Sequence, residues 1–224
     1  MLNFQTGAAG TWVAGVSTRP NDIELSAKDF NEYLEHDGVL DMLEWRRENN
    51  ALDQTAVEKY AKHVKAIFQV GEQTSDDWKT QLGYPVEFVP ERNPYEVRVG
   101  ETLSVKLLQD GKPLANQLVY GGFVDGHSHS HEAGEAHRHD EGKMSTDAEG
   151  TVTLKIDHPG QWYLRTIRMT LSEEEGLTHE SNWATLTFEI KEAGAPASGR
   201  PYVWYAGGAA VLLLAGLLFY FRKK

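Results

Sequence analysis

The chain has no cysteine among its 224 residues. That one absence excludes disulfides, thiolate zinc sites, iron–sulfur clusters and a cysteine nucleophile. Basic residues are also scarce, with 22 Lys and Arg against 33 Asp and Glu and a formal net charge of −11. Nucleic-acid binding draws its affinity from clustered Lys and Arg on phosphates, so this balance argues against such a partner and makes cations the natural guests. GxSxG, HExxH and a phosphate-cradling glycine loop are all missing, and no spacing places two acids across a pocket. The chain is therefore expected not to be an enzyme, with no catalytic residue to name. Its opening stretch, MLNFQTGAAGTWVAGV, has neither the basic region nor the uninterrupted apolar core of a signal peptide.

What is present starts with a long uncharged run, PYVWYAGGAAVLLLAGLLFYF from Pro201 to Phe221. At about 1.5 Å per residue a helix of that length spans a hydrocarbon core of roughly 30 Å. Residues 202–221 are read as one transmembrane helix, with Tyr202, Trp204 and Tyr205 at one interface and Phe219, Tyr220 and Phe221 at the other. Arg222, Lys223 and Lys224 follow directly, and the positive-inside rule keeps them in the cytoplasm. The soluble part then lies in the periplasm or outside the cell. A chain lacking a signal peptide is either tail-anchored in the cytosol or begins upstream of Met1, and the second is the expectation here, because the first strand has no partners ahead of it.

That strand is GTWVAGVSTRP, residues 10 to 20, entered through glycine and left at Pro20. Ser26 with Asp29 three residues on resembles a capping box, and Phe30, Tyr33 and Leu34 share a helical face that Gly38 ends. VLDMLEWRREN reads as a second helix, and a third is expected from near Asp53 through AVEKY. KHVKAIFQVG, from Lys62, alternates as a strand does, with a helix as the alternative. Three prolines in GYPVEFVPERNP, residues 83 to 94, place a domain boundary. Beyond it the period is two: Leu103, Val105 and Leu107; Val152, Leu154 and Ile156; Ala184, Leu186, Phe188 and Ile190. The expected architecture is mainly β. Residues 1–89 form a partial β domain with a helical insertion, residues 90–192 an antiparallel β-sandwich, 193–201 a flexible tether and 202–221 the transmembrane helix. Trp162 and Trp183 are assigned to the sandwich core or a domain interface rather than to a ligand platform.

Inside the sandwich, residues 125–143 hold GHSHSHEAGEAHRHDEG, with five of the chain's nine histidines. His127, His129 and His131 have spacing two, which puts their imidazoles on one side of an extended backbone, and His137 and His139 repeat it. Imidazole suits nickel, cobalt and zinc, while Asp125, Glu132, Glu135, Asp140 and Glu141 add oxygen ligands and a negative field. The segment connects strand 115–124 to strand 151–156, and connections that long in compact domains are usually functional or disordered. The competing reading is a solvated low-complexity loop whose metal affinity is incidental. His36, His63, His158 and His179 are isolated and are read as surface or hydrogen-bonded residues.

Taken in order, SAKDFNEYLEHDGVLD, EKYAKHVKAIFQVG, LGYPVEFVPERNPYEVRVGETLSVKLLQDGKPLANQLV, TDAEGTVTLKIDHPGQWYLRT and WATLTFEI resemble the domain of unknown function family 4198 over about residues 2 to 190. The resemblance implies an exported protein with two β domains, the second like the transthyretin or carboxypeptidase-regulatory sandwiches, and the sandwich expected here is of the transthyretin or immunoglobulin kind. Some members are associated with nickel or cobalt uptake, and members normally begin with a signal peptide and further strands, so the chain is expected to be truncated at its N-terminus. The functional expectation is a membrane-anchored extracytoplasmic protein that binds nickel, cobalt or zinc through its histidine-rich loop and serves a metal transporter. The alternative is a membrane-tethered sandwich that binds a protein or carbohydrate.

Overall fold

The computed structural model describes residues 7–124 and 142–191. Its strands are β1 (Gly10–Ser17), β2 (Asn21–Leu25), β3 (Ala56–Val70), β4 (Val86–Pro90), β5 (Thr102–Gln109), β6 (Lys112–Pro113), β7 (Leu118–Val124), β8 (Gly142–Ser145), β9 (Thr151–Lys155), β10 (Gly160–Leu171) and β11 (His179–Ile190). Two short helices, α1 (Ala27–His36) and α2 (Leu40–Glu48), lie between β2 and β3. The protein is mainly β. A seven-stranded sheet runs β1-β3-β11-β10-β7-β8, with β2 also on β3, and a four-stranded sheet holds β4, β5, β6 and β9. The larger sheet is mixed, because β11 pairs with β3 in parallel.

The two sheets face each other across one core. Phe88, Leu103, Val105 and Leu154 from the smaller sheet meet Leu164 and Leu186 from the larger. Residues Val152 and Leu154 of β9 and Leu103 and Val105 of β5 supply the alternation that the sequence shows, and they stand in register as cross-strand partners. Trp162 is buried in this core as expected, and Trp183 packs against a second cluster on the opposite face of the large sheet.

That second cluster is where the helices dock. Ser26 caps α1, its Oγ accepting from the Asp29 N–H at 3.1 Å and donating to the Asp29 carboxylate at 2.7 Å. Phe30 and Leu34 are fully buried, one turn apart, against Ile167 and Met169 of β10. Gly38 then ends the helix with φ of 78°, and a Cβ there would come within 2.0 Å of the Tyr120 hydroxyl. Both constraints oppose a side chain, so Gly38→Ala is expected to cost at least about 1–3 kcal/mol in urea denaturation. No change in the denaturation midpoint would show that neither constraint matters.

Two expectations need correction. No helix begins near Asp53: AVEKY opens the fifteen-residue strand β3. Glu58 and Lys62 give the stretch a helix-like charge spacing, but β3 is covered on both faces, by the sandwich core on one and by α1 on the other, and tertiary burial overrides that local pattern. The boundary expected at residues 89 and 90 falls inside β4, which pairs with β5, while β1 and β3 share a sheet with β7, β10 and β11. Pro85 precedes β4 and Pro90 ends it, so residues on both sides of the expected boundary contribute to one compact unit. Among the described residues no helix is long and apolar enough to cross a membrane. The expected tether and the 202–221 span lie outside them.

Candidate functional site

The ten candidate metal ligands, His127, His129, His131, His137, His139, Asp125, Glu132, Glu135, Asp140 and Glu141, fall within 125–141 and outside the described residues. The structure places the strands on either side. Val124 ends β7 and Gly142 opens β8, and these strands pair antiparallel with Gly121 opposite Gly142. The expected connection to the strand at 151–156 is therefore corrected: the partner strand is β8, whose four residues GKMS are too few and too polar to show alternation in the sequence. Among the described residues no group of three or more His, Asp and Glu is arranged to hold a metal ion.

The isolated histidines divide into two kinds. His36 and His158 are exposed and sit beside Asp37 and Asp157. His63 is buried, with Nδ1 2.8 Å from the Ser17 hydroxyl and Nε2 3.0 Å from the Asn182 side-chain oxygen. It straps β1 and β11 to β3 between them. His179 is also buried, tilted against the Phe30 ring at 4.7 Å, and burial followed by the nearby Arg46 charge lowers its pKa to about 4. It is neutral at physiological pH.

Sequence reasoning missed a cluster of ionisable groups between α1 and the large sheet. Glu58 on β3 is 2% exposed, and one oxygen of its carboxyl accepts from the Tyr33 hydroxyl at 3.2 Å and from the Ser181 hydroxyl. Burial pushes its pKa up to about 7, against the two hydrogen bonds and the Lys62 charge. Tyr33 is driven well above its usual range, by burial first and the Glu58 charge second. Lys62, two face-sharing steps along β3, lies 4.3 Å over the Trp183 ring, and burial lowers its pKa against the pull of Asp37 and Glu58. Asp37 is raised by burial although Arg165, His36 and Lys62 all favour its charge, and Arg165 itself lies 4.6 Å over the Tyr120 ring. The signal that could have found this cluster is the strand period: Glu58 and Lys62 fall on the β3 face that also presents buried Ala56 to the helices. It was hidden by reading that stretch as a helix.

The cluster can hold a proton near neutrality. A cleft of about 280 Å³ lies beside β1, lined by Trp12, Val13, Asp77, Thr80 and Leu82, and none of the perturbed groups lines it. A protein-family model described as a domain of unknown function (DUF4198) matches residues 2–170. No curated protein and no solved structure matches the chain.

Proposed function

Since the chain belongs to the DUF4198 family, whose function is open, its role has to come from its own residues, and we propose that it is an extracytoplasmic metal-binding protein, anchored in the cytoplasmic membrane. Nickel, cobalt or zinc is held by His127, His129, His131, His137 and His139, with Asp125, Glu132, Glu135, Asp140 and Glu141 as oxygen donors. Residues 202–221 cross the membrane once, leaving the C-terminus in the cytoplasm and the β fold outside it. The fold is of the transthyretin or immunoglobulin kind. It presents the histidines and performs no catalysis.

One observation carries this reading: five histidines, in runs of three and two at spacing two, occupy a segment between adjacent, hydrogen-bonded strands, β7 and β8. A segment closed at both ends by one hairpin keeps its ligands at high mutual concentration, which favours chelation. A site of this kind exchanges metal quickly, as a donor to a transporter must. Imidazole binds metal only when neutral, so metal should leave as pH falls through roughly 6.5 to 5. Replacing the five histidines by serine and titrating each metal into the full chain tests the reading. Unchanged binding would end it.

The alternative, a sandwich that recognises a protein or carbohydrate, draws on the uncharged edge strand β1, GTWVAGVS, where Val16 is 50% exposed. An uncharged edge is a template for a further strand, and Ser75 hydrogen-bonds to it at Thr11.

A further inference from the structure

The large sheet outruns the apolar core between the sheets. On the face that meets the smaller sheet, Trp162 and Leu164 of β10 and Ala184, Leu186, Phe188 and Ile190 of β11 lie in that core. Alternation along each strand carries the same face on to Thr166, Arg168 and Thr170 of β10 and to Asn182 and Glu180 of β11. Apolar side chains therefore give way to polar ones along a single line across the two strands. The strands run on past it because their opposite face stays covered, with Ile167, Met169 and Trp183 packed in the helix cluster. One face of this sheet end is held by the helices, and the other is a polar ledge.

Arg168 is the cation on the ledge. It forms no hydrogen bond and no ion pair among the described residues, although its Nε is shielded from solvent. A shielded guanidinium donor ordinarily has a partner, and one left alone calls for an acceptor that its neighbours do not supply. Glu180, on the same face and one cross-strand pair away, accepts from the Ser172 hydroxyl at 2.7 Å. Gln117 spends its amide N–H groups on the Thr166 hydroxyl at 3.1 Å and the Ile167 carbonyl at 3.2 Å. Asn182, directly opposite Arg168, has its side-chain oxygen 3.0 Å from His63 Nε2, and His63 Nδ1 is in turn 2.8 Å from the Ser17 hydroxyl. That chain holds the Asn182 carboxamide by its oxygen and leaves its NH2 to give. Arg168 and Asn182 both keep partial exposure, so the ledge can be reached from solvent.

We infer that Arg168, with Asn182 opposite it, binds a small organic carboxylate on this ledge. The Nε–H and one terminal N–H of a guanidinium form a planar fork that matches the two oxygens of a carboxylate. Cβ atoms of directly opposed residues stand about 4.5–5.5 Å apart, so the Asn182 NH2 can add a third donor to the same oxygens. The charge of the fold sets the charge of the ligand. With a formal net charge of −11 and Glu180 close by, a singly charged carboxylate is admitted at less cost than a phosphate dianion. Neither Arg168 nor Asn182 takes part in the proposed metal binding, and the two activities stand or fall separately.

NMR of the full chain in detergent, with arginine alone isotope-labelled at nitrogen, follows the Arg168 Nε–H directly. Shielding slows exchange of that hydrogen, and Arg168→Lys assigns its resonance by removing it. Sodium acetate is the probe, beside sodium chloride at equal ionic strength and sodium phosphate. Acetate is expected to shift the resonance saturably, half-complete between about 0.1 and 10 mM, the range open to so small a ligand. Asn182→Asp puts a carboxylate of the chain's own opposite the guanidinium. In N182D the resonance is expected to stand shifted from the start and to ignore acetate. Four results would overturn the inference: a shift no larger than chloride produces, one still unsaturated at about 100 mM acetate, a tighter response to phosphate, or a wild-type response in N182D.

Discussion

Glu87→Gln is expected to destabilise the protein by about 3 to 5 kcal/mol, the usual penalty for leaving one partner of a buried ion pair alone. The side chains of Lys65 and Glu87 are 2% and 3% exposed, and the Lys65 ammonium lies 2.8 Å from the Glu87 carboxylate. The ammonium also donates to the carbonyls of Thr80 and Phe88, so all three of its hydrogens are used. Glu87 accepts in addition from the backbone N–H groups of Leu82 at 2.8 Å and Gly83 at 3.0 Å. These bonds pin residues 80–84 between β3 and β4, on the core side of the large sheet. Gln keeps the shape, but it cannot neutralise the ammonium and it turns one acceptor into a donor. A domain with about 5–15 kcal/mol in hand would be left near its limit. The readout is urea denaturation of the single variants E87Q and K65M and of the double variant. The double is expected to cost less than the sum of the singles, by more than about 1 kcal/mol. Additivity would mean that the pair does not act as one.

The second large effect is a pH dependence that is hidden in the wild-type protein. Folded Glu58 keeps its proton up to about pH 7, against an ordinary value of 4.5. Between these limits the folded state binds the extra proton, so the Glu58 contribution is fully present below pH 4.5 and is lost as pH rises towards 7. At about 1.4 kcal/mol per unit the loss amounts to about 3 kcal/mol. His179 acts in the opposite sense: its pKa falls from 6.5 to about 4, so its contribution is present above pH 6.5 and is lost as pH falls through 4. The two slopes oppose each other over most of the same range. Glu58→Gln preserves an oxygen for Tyr33 and Ser181 and removes the titration. E58Q is expected to match the wild type near pH 4.5 and to exceed it by about 3 kcal/mol at pH 8, leaving the His179 slope visible on its own. Parallel stability curves for the two proteins would show that Glu58 is ionised in the fold.

Local signals were read correctly wherever one short stretch decided the outcome. The strand at β1, the Ser26 cap, both helices and the alternating stretches of β5, β9 and β11 depend on turn residues and on period, and these are visible in a few adjacent letters. What could not be read depends on partners distant in sequence. β3 is a strand because β1, β2 and β11 pair with it, and nothing between Ala56 and Val70 names those partners. The same holds for Lys65 and Glu87, which are ordinary surface letters until the fold closes over both. Lys and Glu are almost always exposed, so their letters alone give no sign of a buried pair. The prolines around β4 are read as a domain boundary, yet proline marks a strand's edges as readily as a boundary, and the letters alone do not separate the two. The ligands of the candidate metal site are legible as composition, because histidines at spacing two and carboxylates stand in adjacent letters.

Isothermal titration of Ni²⁺, Co²⁺ and Zn²⁺ into the full chain, beside the variant with His127, His129, His131, His137 and His139 replaced by serine, decides whether these histidines hold metal. Wild-type binding is expected with Kd of about 1 μM or tighter at neutral pH, lost near pH 5 and lost in the variant at either pH. Equal binding by the two proteins, or no binding by the wild type, would contradict it and move the search to the β1 edge.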